Sequence, residues 1–239
     1  DHGIQWKKFK YHKGKYFFGT FYDLFRGFLS SIFIMIKNDI KIIHIRGYLP
    51  GLIIWIQKYF IDSKLLFDMR GFWPEEKADR SGWSRKGSTY RFFKGFEKKL
   101  LHSSDAIVAL TEESLKILSL DKKGIKVETE IIRTCADRKV FKPVAREYQS
   151  EELNLCHLGS VDNAYDLDPI LDFVKSIDRK EGVKIHFLNK GRQEYIKNKC
   201  IEKKIDTESY SISFIEPDQI SHYLSKIDLG CFYAKENFS

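Results

Sequence analysis

Residues 67–76 read FDMRGFWPEE, a short apolar lead that breaks off into an arginine, a glycine, two aromatic rings, a proline and two adjacent acids. An ordinary turn needs Gly, Pro, Asn or Ser and gains nothing from an Arg and two Glu beside large rings, so the stretch reads as a site. The Arg70 guanidinium can offer planar, bidentate hydrogen bonds to phosphate, while Glu75 or Glu76 can accept hydrogen bonds from hydroxyl groups. HIRGYLPG (44–51) likewise places His44, Arg46 and Gly47 at the end of an apolar run. HLGS (157–160) ends another run in Gly159, where a missing side chain lets backbone amides approach an anion, and in Ser160, which can donate a hydrogen bond. A diphosphate fits that turn. NKG (189–191) contributes Asn189, Lys190 and Gly191, IEP (215–217) contributes Glu216, and Thr111-Glu112 follows DAIVAL. Plainer readings stand beside these: His44 as a satisfied strand-end histidine, Trp73 as a core ring, Gly159 as only a turn.

Residues of this kind act together only if a frame brings strand ends to one place. Apolar, β-rich segments at 40–46, 64–69, 105–110 and 125–132 alternate with helical patterns at 17–37, 49–60 and 90–101. Thr111 is placed to cap a further helix, with Glu112 and Glu113 in its first turn, where the helix dipole favours acids. Residues 134–152 are polar and carry Pro143, which marks a linker. The rhythm then restarts, with strands at 153–159, 183–189, 210–215 and 227–233 and helices at 167–179, 192–203 and 217–225. Two such runs predict two doubly wound α/β domains, 1–146 and 147–239, with ligands at the carboxyl ends of the strands and between the domains. His44, Arg46, Gly47, the segment from Arg70 through Gly71 and Trp73 to Glu76, and Thr111-Glu112 are expected to face the same cleft as the second domain's strand ends. Those three ends could line one pocket for a nucleotide.

Composition sets the bounds. At 239 residues, with 43% hydrophobic and 15% aromatic content, the chain can bury real cores. Cys135, Cys156, Cys200 and Cys231 are scattered, without a Cys-x-x-Cys or a zinc-ligand spacing, and read as reduced thiols in a cytosolic protein. The apolar runs 28–36 and 52–56 are too short to span a bilayer and lack the marks of a signal peptide, so both are expected to be buried helices. Net charge is +8, unevenly placed: residues 1–150 hold 29 Lys+Arg against 17 Asp+Glu, residues 151–239 hold 12 against 16, so the basic half is the first. WKKFKYHKGKYFF (6–18) interleaves Lys7, Lys8, Lys10, Lys13 and Lys15 with aromatics. A solvated face, an anionic membrane surface and nucleic acid are its three readings, and the acidic second half with no nucleic-acid motif speaks against the last.

Taken in order, IIHIRGYLPG, LLFDMRGFWPEE, FEKKLLHSSDAIVALTEES, IIRTCADRKVFKP and NLCHLGSVDNAYDLDPILDF resemble the retaining GT-B glycosyltransferases of family four, over most of residues 40–239. The nearest likeness is to enzymes of bacterial surface-polysaccharide assembly. The resemblance implies two Rossmann-like domains facing a cleft, a nucleotide-sugar donor held mainly by the second and a glycan or lipid-linked acceptor mainly by the first. It also implies hexosyl transfer with retained configuration, no metal and no cofactor, and a cytoplasmic protein, peripheral on the inner face of the membrane. By position Gly159-Ser160 matches the family's diphosphate turn, and Arg70 stands where many members place a cleft histidine. Asp137, Phe141 and Pro143 match the segment before the hinge, with Arg133 and Cys135 in place of a common proline and glycine.

Two departures qualify the match. The Arg and Lys usual after the diphosphate turn are absent from SVDNAYDLD, which carries Asp162, Asp166 and Asp168 instead. Neutralising a leaving diphosphate then falls to Arg70, Arg46 or Lys190. The resemblance further implies a chain short at both ends, with an incomplete second domain and little transfer activity of its own. Two alternatives are a non-catalytic α/β module binding a nucleotide or another anion, and a GT-B-shaped nucleotide-sugar epimerase or hydrolase.

Overall fold

The computed structural model describes residues 3–10, 12, 17–119, 127–145, 152–161, 165–177 and 182–235. Contacts divide the chain between Thr134 and Cys135 into two units. The boundary expected at 146–147 lies outside the described residues.

The first unit runs α1 (Phe17–Lys37), β1 (Ile42–Arg46), α2 (Tyr48–Gln57), β2 (Lys64–Asp68), α3 (Trp73–Ser81), α4 (Ser88–Ser103), β3 (Ala106–Ala109), α5 (Glu112–Ser119) and β4 (Glu128–Ile131). Its sheet has the order β1-β2-β3-β4 and is parallel throughout. A parallel strand is covered on both faces, which is why Leu65, Phe67 and Ile107 are buried to 1% exposure or less against Leu100 of α4 and Ile45 of β1. Each such side chain contributes roughly 2 kcal/mol of burial free energy.

The second unit runs β5 (Leu153–Leu158), α6 (Asp168–Ile177), β6 (Val183–Leu188), α7 (Gln193–Glu202), β7 (Tyr210–Ser213), α8 (Ile220–Leu224) and β8 (Leu229–Gly230), again all parallel, in the order β7-β6-β5-β8. From β5 the chain steps outward to β6 and β7, then returns to the far side of β5. The order therefore reverses between β5 and β8, the switch point at which open α/β sheets take ligands.

The α/β rhythm is as expected, with four differences. The helix expected at 217–225 contracts to Ile220–Leu224, and the strand at 227–233 to Leu229–Gly230. Trp73–Ser81 forms a helix where the sequence suggested only a site: Pro74 sits in its first turn, Glu75 and Glu76 face the dipole there, and Gly82 closes it in a left-handed cap. The segment 28–36 is not a buried helix throughout. Met35 is in the core, but Leu29, Phe33 and Ile36 of the same helix are exposed.

One polar strut fixes β2 against β3. Asp105 accepts hydrogen bonds from Lys58 Nζ at 2.6 Å, from the Leu65 amide at 2.8 Å and from Lys64 Nζ at 3.1 Å. Burial works to raise its pKa, but these donors outweigh it and pull the carboxyl from 3.8 down to about 2. The folded state thus holds this proton less tightly than the unfolded chain, so the contribution is complete above 3.8 and is lost as pH falls towards 2. Asp105→Asn should lower the unfolding free energy by about 1–3 kcal/mol at neutral pH, with a smaller difference in acid, read from urea midpoints.

Candidate functional site

At the carboxyl end of the first sheet, register sets Arg46 opposite Asp68. The Asp68 side chain is 11% exposed and gathers three basic groups: His44 Nε2 at 3.6 Å, Arg46 Nε at 3.8 Å and Arg70 at 3.9 Å. Arg70 also donates to Thr134 Oγ1 at 3.0 Å. Asp68 was not among the residues singled out in the sequence, yet it is the group that assembles three of them. The signal for it lay in plain view, as the acid that ends LLFD one residue pair before Arg70.

Beside this cluster a cavity of about 260 Å³ is lined by Gly47, Tyr48, Leu49, Pro50, Arg70, Gly71, Trp73 and Glu76. Four expected site residues meet here beyond Arg70: Gly47, Gly71, Trp73 and Glu76. His44 and Arg46 stand outside, largely exposed. Gly71 is required by its backbone, whose φ of 156° strains any other residue, and a Cβ there would also displace Glu76 Oε1. Trp73 is both lining and core: it stacks on Tyr48 at 5.9 Å and meets Phe93 edge-on at 4.9 Å.

Glu75 departs from its expected place in the cleft. It turns inward, 8% exposed, where Lys94 Nζ lies 2.5 Å from it and 2.5 Å from Glu97. Tyr90 donates to Glu75 at 3.2 Å and Tyr48 to Glu97 at 2.6 Å. Burial raises the Glu97 carboxyl above its ordinary value against the pull of Lys94, while Glu97 and Glu75 hold the Lys94 ammonium above its own despite burial. Burial and the Glu97 charge push the Tyr48 phenol up as well, keeping it a donor. Tyr48 Oη also lies 3.1 Å from the Gly71 carbonyl, so the network sits directly behind the Arg70-Gly71 turn. Thr111 and Glu112 do not join this group: Thr111 Oγ1 caps α5 by accepting from the Ser114 amide at 3.1 Å, and Glu112 pairs with Arg133 at 3.3 Å.

In the second unit the three expected strand ends do converge. A cavity of about 590 Å³ is lined by residues that follow β5 (Gly159, Ser160), β6 (Asn189 to Arg192) and β7 (Phe214, Ile215, Pro217). Glu216 lies between two lining residues without lining the cavity itself. Gly159 has φ 130°, a left-handed value that strains any other residue. Asn189, buried, is spent on the architecture: Nδ2 donates to the Gly159 carbonyl at 2.7 Å, and Oδ1 accepts from the Gly191 and Arg192 amides at 3.0 and 2.7 Å. Lys190 Nζ lies 5.0 Å over the Phe214 ring and Arg192 6.0 Å over Tyr195. Among the described residues neither cation has an ion-pair partner. Arg192 was read from sequence only as a helix start, and its place at the cavity follows from Asn189 Oδ1 holding the Gly191 and Arg192 amides in the turn before that helix.

On the other side of the β5 tip, at the switch point, a second hollow of about 680 Å³ is bounded by His157, Gly159, Ser160, Tyr165, Cys231 and Phe232. Gly159 and Ser160 border both. Among the described residues no group of three or more His, Cys, Asp or Glu is placed to hold a metal ion.

The two units match a set of solved structures. The chain superposes on sucrose-phosphate synthase from Thermosynechococcus elongatus with a TM-score of 0.68 at 15% identity, over 88% of this chain and 54% of that one. The fold is that of the GT-B glycosyltransferases. A glycosyltransferase from Rickettsia africae aligns at TM-score 0.63 and 14% identity, over 92% and 57% of the two chains. Anabaena HepE, solved in complex with UDP, aligns at 0.61 and 11%, over 85% and 55%. This GT-B chain thus spans about half the length of the structures it matches. No protein-family model matches it, and no curated protein matches it in sequence.

The buried network of this GT-B chain gives a pH signature. Glu97 keeps its proton to a higher pH when folded than when unfolded, so the native state binds more protons from 4.5 up to the raised value, and stability declines as pH rises through that window. Glu97→Gln, which cannot ionise, should flatten that part of the stability profile, measured by urea unfolding at a series of pH values.

Proposed function

We propose that this chain carries the donor and acceptor sites of a glycosyltransferase that moves a hexosyl group from a nucleoside diphosphate to a polysaccharide or lipid-linked acceptor, with retention and without a metal ion. The observation that carries the reading is the convergence of the β5, β6 and β7 tips on one cavity, with Gly159 at positive φ and the cations Lys190 and Arg192 among its lining residues. In this reading the Gly159-Ser160 amides and hydroxyl receive the diphosphate, and Lys190 and Arg192 supply the positive charge missing from SVDNAYDLD. The apolar surface of Phe214 and Ile215 takes the base. The similarity to HepE, which was solved with UDP, supports a nucleoside diphosphate as the ligand.

The acceptor and catalytic groups are Arg70, held with His44 and Arg46 about Asp68, and Glu76, which lines the smaller cavity where Glu75 does not. We place the protein in the cytoplasm, in keeping with four scattered cysteines that form no Cys-x-x-Cys.

A ligand that binds only the folded state raises its stability with concentration. UDP, ADP or GDP should therefore raise the thermal midpoint of this chain in a concentration-dependent way, and Arg192→Ala should weaken the binding about tenfold, the worth of one charge-assisted hydrogen bond. A flat response to every nucleoside diphosphate would remove the donor site. In the active enzyme Arg70→Ala should cut turnover about 100-fold or more while leaving the unfolding midpoint nearly unchanged; equal turnover in the two proteins would remove Arg70 from the machinery.

A further inference from the structure

Helix α1 presents two different apolar faces. One is packed: Met35 enters the core, Ser31 Oγ lies 3.1 Å from Gln57 Oε1, and Gln57 Nε2 donates to the Phe28 carbonyl at 2.6 Å. The other is bare. Phe21, Phe25, Leu29 and Phe33 follow one another at intervals of four and are 61%, 53%, 49% and 60% exposed, with Ile36 at 68% on the same strip. These side chains form an apolar patch on the order of 500 Å², at the upper end of what a soluble monomer shows.

The rim of this strip is cationic. Lys37 Nζ lies 5.8 Å over the Phe33 ring, and Arg26 lies 5.9 Å over Tyr22. Arg26 also anchors the segment before the helix, lying 5.0 Å over Phe9 and donating to the Lys10 carbonyl at 3.1 Å. Lys7, Lys8 and Lys10, with Trp6 80% exposed, are thereby brought alongside the strip. The one acid of the helix, Asp23, is taken up by His12, whose amide donates to it at 2.8 Å.

We infer that α1 and the segment 4–10 form a docking face for an anionic phospholipid surface. The aromatic strip enters the headgroup layer and the lysines meet lipid phosphates. The helix is long and apolar enough to cross a bilayer, but its packed face is bonded to α2, so it lies along the surface and does not span it. A second copy of this chain fits less well. A symmetric pairing would bring the lysines and arginines of both rims together, where like charges repel. The inference is independent of the nucleotide site.

Flotation of this chain with vesicles of phosphatidylcholine, alone or mixed with phosphatidylglycerol, tests it. Binding should be about tenfold or more stronger to the mixed vesicles and should weaken steeply with added salt. The exposed-site double variant F25S/F33S should lose about tenfold in binding to mixed vesicles, and K7Q/K8Q/K10Q should lose the preference for the anionic lipid. Wild-type protein that stays unbound on mixed vesicles overturns the inference, as does wild-type binding indifferent to lipid charge and salt, a readout that needs no variant to fold. F25S/F33S binding like wild type also overturns it. A wild-type dimer that the same variant renders monomeric, with no vesicle binding, assigns the strip to a second copy.

Discussion

When strands pair in parallel, the residues at and just past the last paired positions leave the sheet side by side on one edge, and this places Arg46 and Arg70, 24 positions apart, each within 4 Å of Asp68. The same rule sets Leu158, Leu188 and Ser213 in one row, so that Gly159, Asn189 and Phe214 begin their loops together. No loop has to search for its partner. Asn189 then locks the row by bonding back to Gly159 and forward to the start of α7. The pyramid of dependence runs from register to strand tip to turn, and only the last step uses special residues.

Behind the first unit's turn, charge is buried where an apolar core could have stood. Lys94 lies between Glu75 and Glu97, with Tyr48 and Tyr90 as further partners. Burying two acids with one ammonium is costly unless every group finds a partner, and breaking such a set is more damaging than never having built it. What the arrangement provides is geometry. Adjacent residues on a helix point about 100° apart, so Glu75 reaches the network while Glu76 faces the cavity. Tyr48 connects the two, touching Glu97 on one side and the Gly71 carbonyl on the other.

The α/β rhythm was legible because short apolar runs, continuous as in KLLFD or alternating as in VKIHFL, differ plainly from the helices between them. The convergence of three strand ends in the second unit was legible for the same reason. Helix α3 was hidden because WPEEKADRS is mostly polar and carries no apolar period; its only signals are the early proline and acids, which also look like a site. Asp68 was visible as the acid that ends LLFD, but its role was not, because that depends on neighbours brought in from β1. For α1 the sequence showed apolar residues on nearly every turn, and nothing local says which apolar face a fold will cover. Glu75 and Glu76 were indistinguishable in sequence, and only the position of Lys94 separates them.

Gly71 touches this separation from the other side. The atom a Cβ would strike is the end of a flexible side chain, Glu76 Oε1, which can swing aside, but the φ of 156° strains any residue other than glycine whatever the space. Trimming Glu76 would clear room at position 71 without making a larger residue comfortable there. In descent, position 76 can drift while position 71 stays fixed.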